Sequence, residues 1–152
     1  RYEPGNAETE ANAFAAELLM PRALFEPECD VARPSLDEVR KLARRFGTTL
    51  TATAIRFVDL CPEACSVVWS EKRAVKWAIT GPDFPFIRPG MPLSGYSHAS
   101  DAFGGKPLPT GLQRVPAHAW VDVDGNTDAF EDSIWMPSFS ATLSLLWLPD
   151  RD

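Results

Sequence analysis

The apolar residues of this chain change their spacing near Cys61-Pro62, from the three-and-four rhythm of helices to the alternation of strands. All five tryptophans (Trp69, Trp77, Trp120, Trp135, Trp147) and most of the prolines lie after residue 60. A sequence that switches period once can be neither all-α nor all-β. The spacing predicts an α+β fold in two parts: a helical block over 1–60 and, over 61–152, an antiparallel sheet with a few helical turns.

Three helices are expected in the first part. Ala11, Phe14, Ala15, Leu18 and Leu19 recur at helical intervals, and Pro21 stops the run. A second helix, Leu36 to Phe46, has Ser35 as N-cap, Glu38 placed for a capping box and Gly47 as its stop; Leu36, Val39, Leu42, Ala43 and Phe46 form its buried face. A third, Leu50 to Leu60, is capped by Thr49 and ended by Cys61-Pro62. In the second part Ser66–Ser70 and Ala74–Thr80 flank a Glu71-Lys72-Arg73 turn and read as a hairpin. Val115–Val123 and Ser133–Leu148 supply two or three further strands, Gly81 to Pro92 a loop, and Ser97–Phe103 a short helix.

Composition excludes several classes of protein. With 45% hydrophobic and 24% charged residues the chain can build a folded core. No window approaches the roughly 20 apolar residues of a membrane-spanning helix, so no membrane partner is expected. The formal charge of −6 is opposite to that of a protein whose whole surface grips nucleic acid, and only residues 32–60, with six basic against three acidic groups, are net basic. Three cysteines (Cys29, Cys61, Cys65) are an odd number, and the gap in Cys61-Pro-Glu-Ala-Cys65 suits neither a zinc knuckle nor a thioredoxin-like pair. A reducing, cytoplasmic setting is expected. The first residue is Arg and no targeting segment is visible, so the chain reads as a portion of something longer.

One carboxylate stands out. With about 100° of helical rotation per residue, Asn12, Ala15 and Leu19 fall within about 40° of Glu8, whereas Glu10 and Glu17 fall on the far side. Glu8 is thus placed on the small, apolar face, where a carboxylate asks for a partner or a metal. It also lies in the first helical turn, where an acid complements the helix dipole and water still reaches it.

The run Glu8-Thr9-Glu10-Ala11-Asn12-Ala13-Phe14-Ala15-Ala16-Glu17-Leu18-Leu19-Met20-Pro21 resembles the segment E-x-E-A-N-x-F-A-A-x-L-L-M-P that follows the H-E-x-x-H helix in the ImmA/IrrE family of zinc metallopeptidases. The likeness continues more weakly through Thr48-Thr49, Ala52 and Arg56-Phe57, and Thr142 to Leu148 is similar to the family's closing strand. The resemblance implies a zinc held by two histidines and a glutamate, with the motif glutamate activating water. Glu8 would be the third zinc ligand and Asn12 the group that orients a zinc-bound histidine. This sequence departs from the pattern at the decisive place: its only histidines, His98 and His118, follow the third-ligand helix and lie in no H-E-x-x-H context. The expectation is the C-terminal part of a regulatory zinc metallopeptidase that cleaves a DNA-binding repressor, with zinc in the complete protein and neither metal nor activity in this portion. The alternative is a non-catalytic transcription or stress regulator that has kept the scaffold.

Other features invite weaker readings. Arg40, Lys41, Arg44 and Arg45 with the small residue Ala43 and Gly47 suggest a helix-turn-helix-like pair that could touch DNA, but the charges lie on its first helix and a solvated face is the favoured explanation. The resemblance also places a helix-turn-helix-like layer there, and a GAF- or PAS-like sensor module after it. In such a module Trp69, Trp77, Phe84, Phe86, Trp120, Trp135 and Trp147 could line a small-molecule cavity, although core packing is the favoured role for them. His98 and His118 could join Asp101 or Asp122 at a metal, or be ordinary hydrogen-bonded histidines. Asp124-Gly125 reads as a hairpin turn and not as part of a calcium loop.

Overall fold

Helix formers and caps set the first half. The computed structural model describes residues 7–123 and 125–150, with side chains from residue 11 onward. Helix α1 (Ala7–Leu19) is built from Ala, Glu and Leu, and Pro21 starts the one-turn helix α2 (Arg22–Phe25), which passes into a 3-10 turn at Glu26–Cys29. In α3 (Leu36–Phe46) Ser35 Oγ accepts from the Glu38 N–H at 3.3 Å, and Gly47 closes the helix at φ 67°, a conformation that costs glycine little. The Glu38 carboxylate faces Lys41 at 3.5 Å, so the expected cap is made by Ser35. Helix α4 (Leu50–Leu60) tolerates its threonines because Thr53 Oγ1 donates to the Thr49 carbonyl at 2.6 Å and shares a proton with Thr48 Oγ1 at 2.7 Å. Cys61 is extended ahead of Pro62, as a residue before proline prefers.

Five antiparallel strands follow: β1 (Ala64–Glu71), β2 (Ala74–Thr80), β3 (Gln113–Pro116), β4 (Asp128–Met136) and β5 (Ala141–Leu148), in the order β2-β1-β5-β4-β3. Helix α5 (His98–Phe103) lies between β2 and β3 in the chain and starts at its Ser97 cap. The β1–β2 hairpin turns through Lys72 and Arg73, both left-handed at φ 52° and 62°, and pairs Trp69 with Trp77 so that their rings stack at 6.0 Å. The mixed α+β architecture is the one expected.

Alternation sorts the sheet into two faces. Cys65, Val67 and Trp69 of β1 with Leu143, Leu145 and Trp147 of β5 join Phe25, Leu36, Val39, Phe57 and Val58 in one buried cluster under the helices. Val68 and Leu146 point to the opposite face, where Ala99, Trp120, Phe84 and Ile87 cover them. Both central strands are therefore buried on both sides, which accounts for the unbroken burial of β5 from Ala141 to Trp147.

Two expectations fail in the second half. The stretch 115–123 is not a strand throughout: β3 stops at Pro116, and Ala117–Ala119 coil into a 3-10 turn that buries Trp120. Nor does a tight hairpin join β3 to β4; residues 117–127 form a longer connection closed by the Ala117 N–H on the Thr127 carbonyl at 2.8 Å, and Asp124 lies outside the described residues.

Candidate functional site

Helix α1 carries the residues expected to serve a metal. Glu8 lies in its first turn, but its side chain is outside the described residues. Asn12 is exposed, as are Ala11 and Ala15. The apolar face expected to be buried is in fact open: Phe14 is 70% exposed, Leu18 67% and Leu19 55%. The helix packs instead through Ala16 and Met20, nearly on the opposite side from the apolar row. Arg56 of α4 fastens this end, its Nε donating to the Met20 carbonyl at 3.1 Å and its terminal nitrogen pairing with the Glu17 carboxylate. The Arg22 N–H, donating to Glu17 at 3.2 Å, and then Arg56 hold the Glu17 carboxyl below its ordinary range.

The histidines do not assemble a centre. His118 is exposed and meets Tyr96 edge to face at 5.2 Å, while the His98 N–H, not its ring, bonds the Glu131 carboxylate at 3.2 Å. Among the described residues no three His, Cys, Asp or Glu side chains are placed to hold a metal ion. The described residues do not form a zinc site by themselves.

The buried polar residues of the sheet escaped the sequence reading. Glu131, wholly buried, accepts from the Ala99 N–H at 2.8 Å, Trp120 Nε1 at 2.8 Å and Ser133 Oγ at 2.6 Å besides His98. Asp132, on the other face, accepts from the Leu36 N–H at 2.8 Å and so caps α3 from a distant strand. Burial raises its pKa, opposed by that bond and by the charge of Arg40. A legible signal existed: adjacent acids on a strand must point to opposite faces, and here both faces are covered.

Beside Asp132 lies a cleft of about 620 Å³ between α3 and the β4 edge, lined among others by Arg40, Phe103, Lys106, Leu108, Ile134 and Trp135. Register explains it: β3 pairs with β4 only from Asp128 to Glu131, leaving residues 132–136 without a strand partner on that side. Trp135 and Phe103 stand edge to face at 5.2 Å along this wall. The tryptophans are thus divided, with Trp69, Trp120 and Trp147 in the core and Trp135 at the cleft. Much of the basic charge of α3 has acidic company, since Arg45 pairs with Glu28 and Lys41 lies near Glu38 and Asp37.

An acid-rich opening helix, two capped helices and an antiparallel sheet behind them define a mixed α+β protein with its family signature at the front. Residues 2–58 match the family model Peptidase_M78, the IrrE N-terminal-like domain, and this relates the helical block to the ImmA/IrrE-type metallopeptidases, as the run from Glu8 to Pro21 indicates. No curated protein matches the chain. No helix among the described residues is long and apolar enough to cross a membrane.

Proposed function

We propose that the chain is the C-terminal part of a regulatory zinc metallopeptidase that cleaves a DNA-binding repressor, with Glu8 as third zinc ligand and Asn12 as the group orienting a zinc-bound histidine. The observation that carries this reading is the solvent-facing row Phe14, Leu18 and Leu19 on the helix that bears Glu8, within the matched segment. Large apolar side chains in such a row mark a surface made to be covered. A helix bearing H-E-x-x-H would cover it and supply the histidines this chain lacks. Zinc, when bound, supplies a Lewis acid for peptide hydrolysis; the part of this chain is to present Glu8 and to hold α1 in place through Arg56.

The test is metal content and repressor cleavage by the longest protein that the gene encodes, with this chain run in parallel. Zinc and cleavage in the longer protein and neither in this chain support the reading, and Glu8→Ala in the longer protein should abolish zinc retention while the fold survives. A Glu8→Ala variant that keeps both zinc and cleavage removes Glu8 from the site.

The cleft beside Asp132 favours a second reading, a non-catalytic regulator whose sheet module takes a small ligand or partner and passes the event to α3 through Arg40. DNA contact by α3 and α4 belongs to this reading. Absence of zinc from both proteins, with a ligand that quenches Trp135 fluorescence, would support it.

A further inference from the structure

The three cysteines gather where α4 hands over to β1. Cys61 is the residue after α4, Cys65 is the second residue of β1, and Cys29 ends the 3-10 turn that joins both in one buried cluster. Their spacing in sequence suggested no redox pair. In the fold, the bend through Pro62, Glu63 and Ala64 brings Cys65 Sγ to 3.8 Å from Cys61 Sγ, with the Cys65 thiol donating. All three are free thiols.

The two sulfurs differ in access. Cys65 is fully buried, whereas Cys61 keeps 5% exposure beside a cleft of about 720 Å³ lined in part by Pro27, Asp30, Leu60 and Pro62. Leu60 and Pro62 flank Cys61 in the chain, and Pro27 and Asp30 flank Cys29. Of the two cysteines, Cys61 is the one whose chain neighbours on both sides, Leu60 and Pro62, form the cleft wall.

We propose that Cys61 and Cys65 are a peroxide-responsive thiol pair, in which Cys61 is oxidised first and Cys65 resolves it to a disulfide. In the first step the Cys61 thiolate attacks hydrogen peroxide; the O–O bond breaks, an S–O bond forms, and the departing hydroxide takes a proton and leaves as water. In the second, the Cys65 sulfur displaces the sulfenic oxygen, an S–S bond forms, and a second water leaves with the Cys65 proton. The peroxide gains two electrons, one from each sulfur over the whole reaction.

Electrostatics divides the roles in the same sense. The hydrogen bond from Cys65 lowers the Cys61 pKa, against burial and the charges of Glu63 and Asp30. The same bond, then burial, raises that of Cys65, which suits a thiol that waits for an oxidised partner. Cys29 is pushed up to about 12 by burial and its S–H donates a hydrogen bond to the Phe25 carbonyl at 3.5 Å, so it stays a thiol. Closure to a bond of about 2.05 Å draws Cys61 and Cys65 together across the Pro62 bend, beside Gly81, where a Cβ would meet the Val58 carbonyl at 2.7 Å and the Cys65 carbonyl at 3.2 Å. Oxidation therefore acts on the joint between the family-matched helices and the sheet.

The full chain is exposed to a hydrogen peroxide series, alkylated under denaturing conditions and digested with trypsin. Cys61 and Cys65 share the peptide 57–72, and Cys29 lies in 23–40. The expected result is a 57–72 peptide lighter by two hydrogens and closed to alkylation until reduced, with Cys29 still alkylated. In Cys65→Ser a dimedone-type probe should label Cys61, and in Cys61→Ser no label should appear at Cys65. The proposal is overturned if 57–72 stays fully alkylated while methionines oxidise, if Cys61 passes straight to the sulfinic acid, or if Cys29 is the partner that becomes linked. Because the decisive measurement uses the unmutated chain, a variant that fails to fold leaves it intact.

Discussion

Asp132 of β4 caps α3 by accepting the Leu36 N–H at 2.8 Å, so that the sheet finishes a helix begun almost a hundred residues earlier. The bond ties the family-matched helices to the strands behind them. Asp132→Ala would leave a buried donor unpaired and should cost about 1–3 kcal/mol in urea unfolding at neutral pH. Asp132→Asn keeps an acceptor without the charge. Burial raises the carboxyl above its ordinary 3.8, so the folded chain holds that proton more tightly than the unfolded chain does. Stability is then lost as pH rises from the unfolded value through the native one. The Asn variant should lack this decline; an identical slope in both proteins would show that Asp132 does not titrate as its burial requires.

Glu131, on the other face of the sheet, is a buried acceptor for the His98 and Ala99 N–H groups, Trp120 Nε1 and Ser133 Oγ. Glu131→Ala should cost about 2–6 kcal/mol, because the Ala99 N–H and Trp120 Nε1 would remain buried without acceptors, at about 1–3 kcal/mol each. Trp120→Phe removes one donor and should cost about 1 kcal/mol beyond any packing change. Chemical denaturation ranks the two variants, and near-ultraviolet circular dichroism of Glu131→Ala should show the Trp120 environment loosened.

What could be read from the chain alone was local. Ser35, Gly47 and Thr49 cap or stop their helices through atoms within a few residues, and all three stand where the spacing puts them. Pairing at a distance was not legible. Trp120 was read as a strand residue because its neighbours are apolar, but its indole N–H is drawn to Glu131 and the chain coils to bring it there. The run from Glu8 to Pro21 carried the family likeness, yet its apolar spacing gave no sign that Phe14, Leu18 and Leu19 stand exposed while Met20 is buried. The spacing of Cys61 and Cys65 suggests no redox pair, because spacing ignores the bend at Pro62 that brings their sulfurs to 3.8 Å.

The open face of α1 separates exposed from packed apolar residues on one helix. Leu18→Gln should change the stability of this chain by no more than about 0.5 kcal/mol, whereas Met20→Ala, with Met20 buried against the helices, should cost about 2–4 kcal/mol. Thermal melts of the two variants decide the point. Equal losses would mean that the Leu18 face is already covered in this chain.

Arg56 makes the attachment of α1 sensitive to acid. Its side chain is mostly buried and bridges the Glu17 carboxylate and the Met20 carbonyl, so it grips the last turn of α1 from α4. The Arg22 N–H and Arg56 lower the Glu17 pKa below 4.5, so this carboxylate stabilises the fold above the unfolded value and ceases to do so as pH falls through the native one. Hydrogen exchange should therefore show α1 amides losing protection below about pH 4.5 while β1 and β5, buried on both faces, keep theirs. Glu17→Gln should remove that acid step, and Arg56→Ala should give fast exchange in α1 at every pH. Protection of α1 that persists unchanged in Arg56→Ala would show that Ala16 and Met20 hold the helix without it.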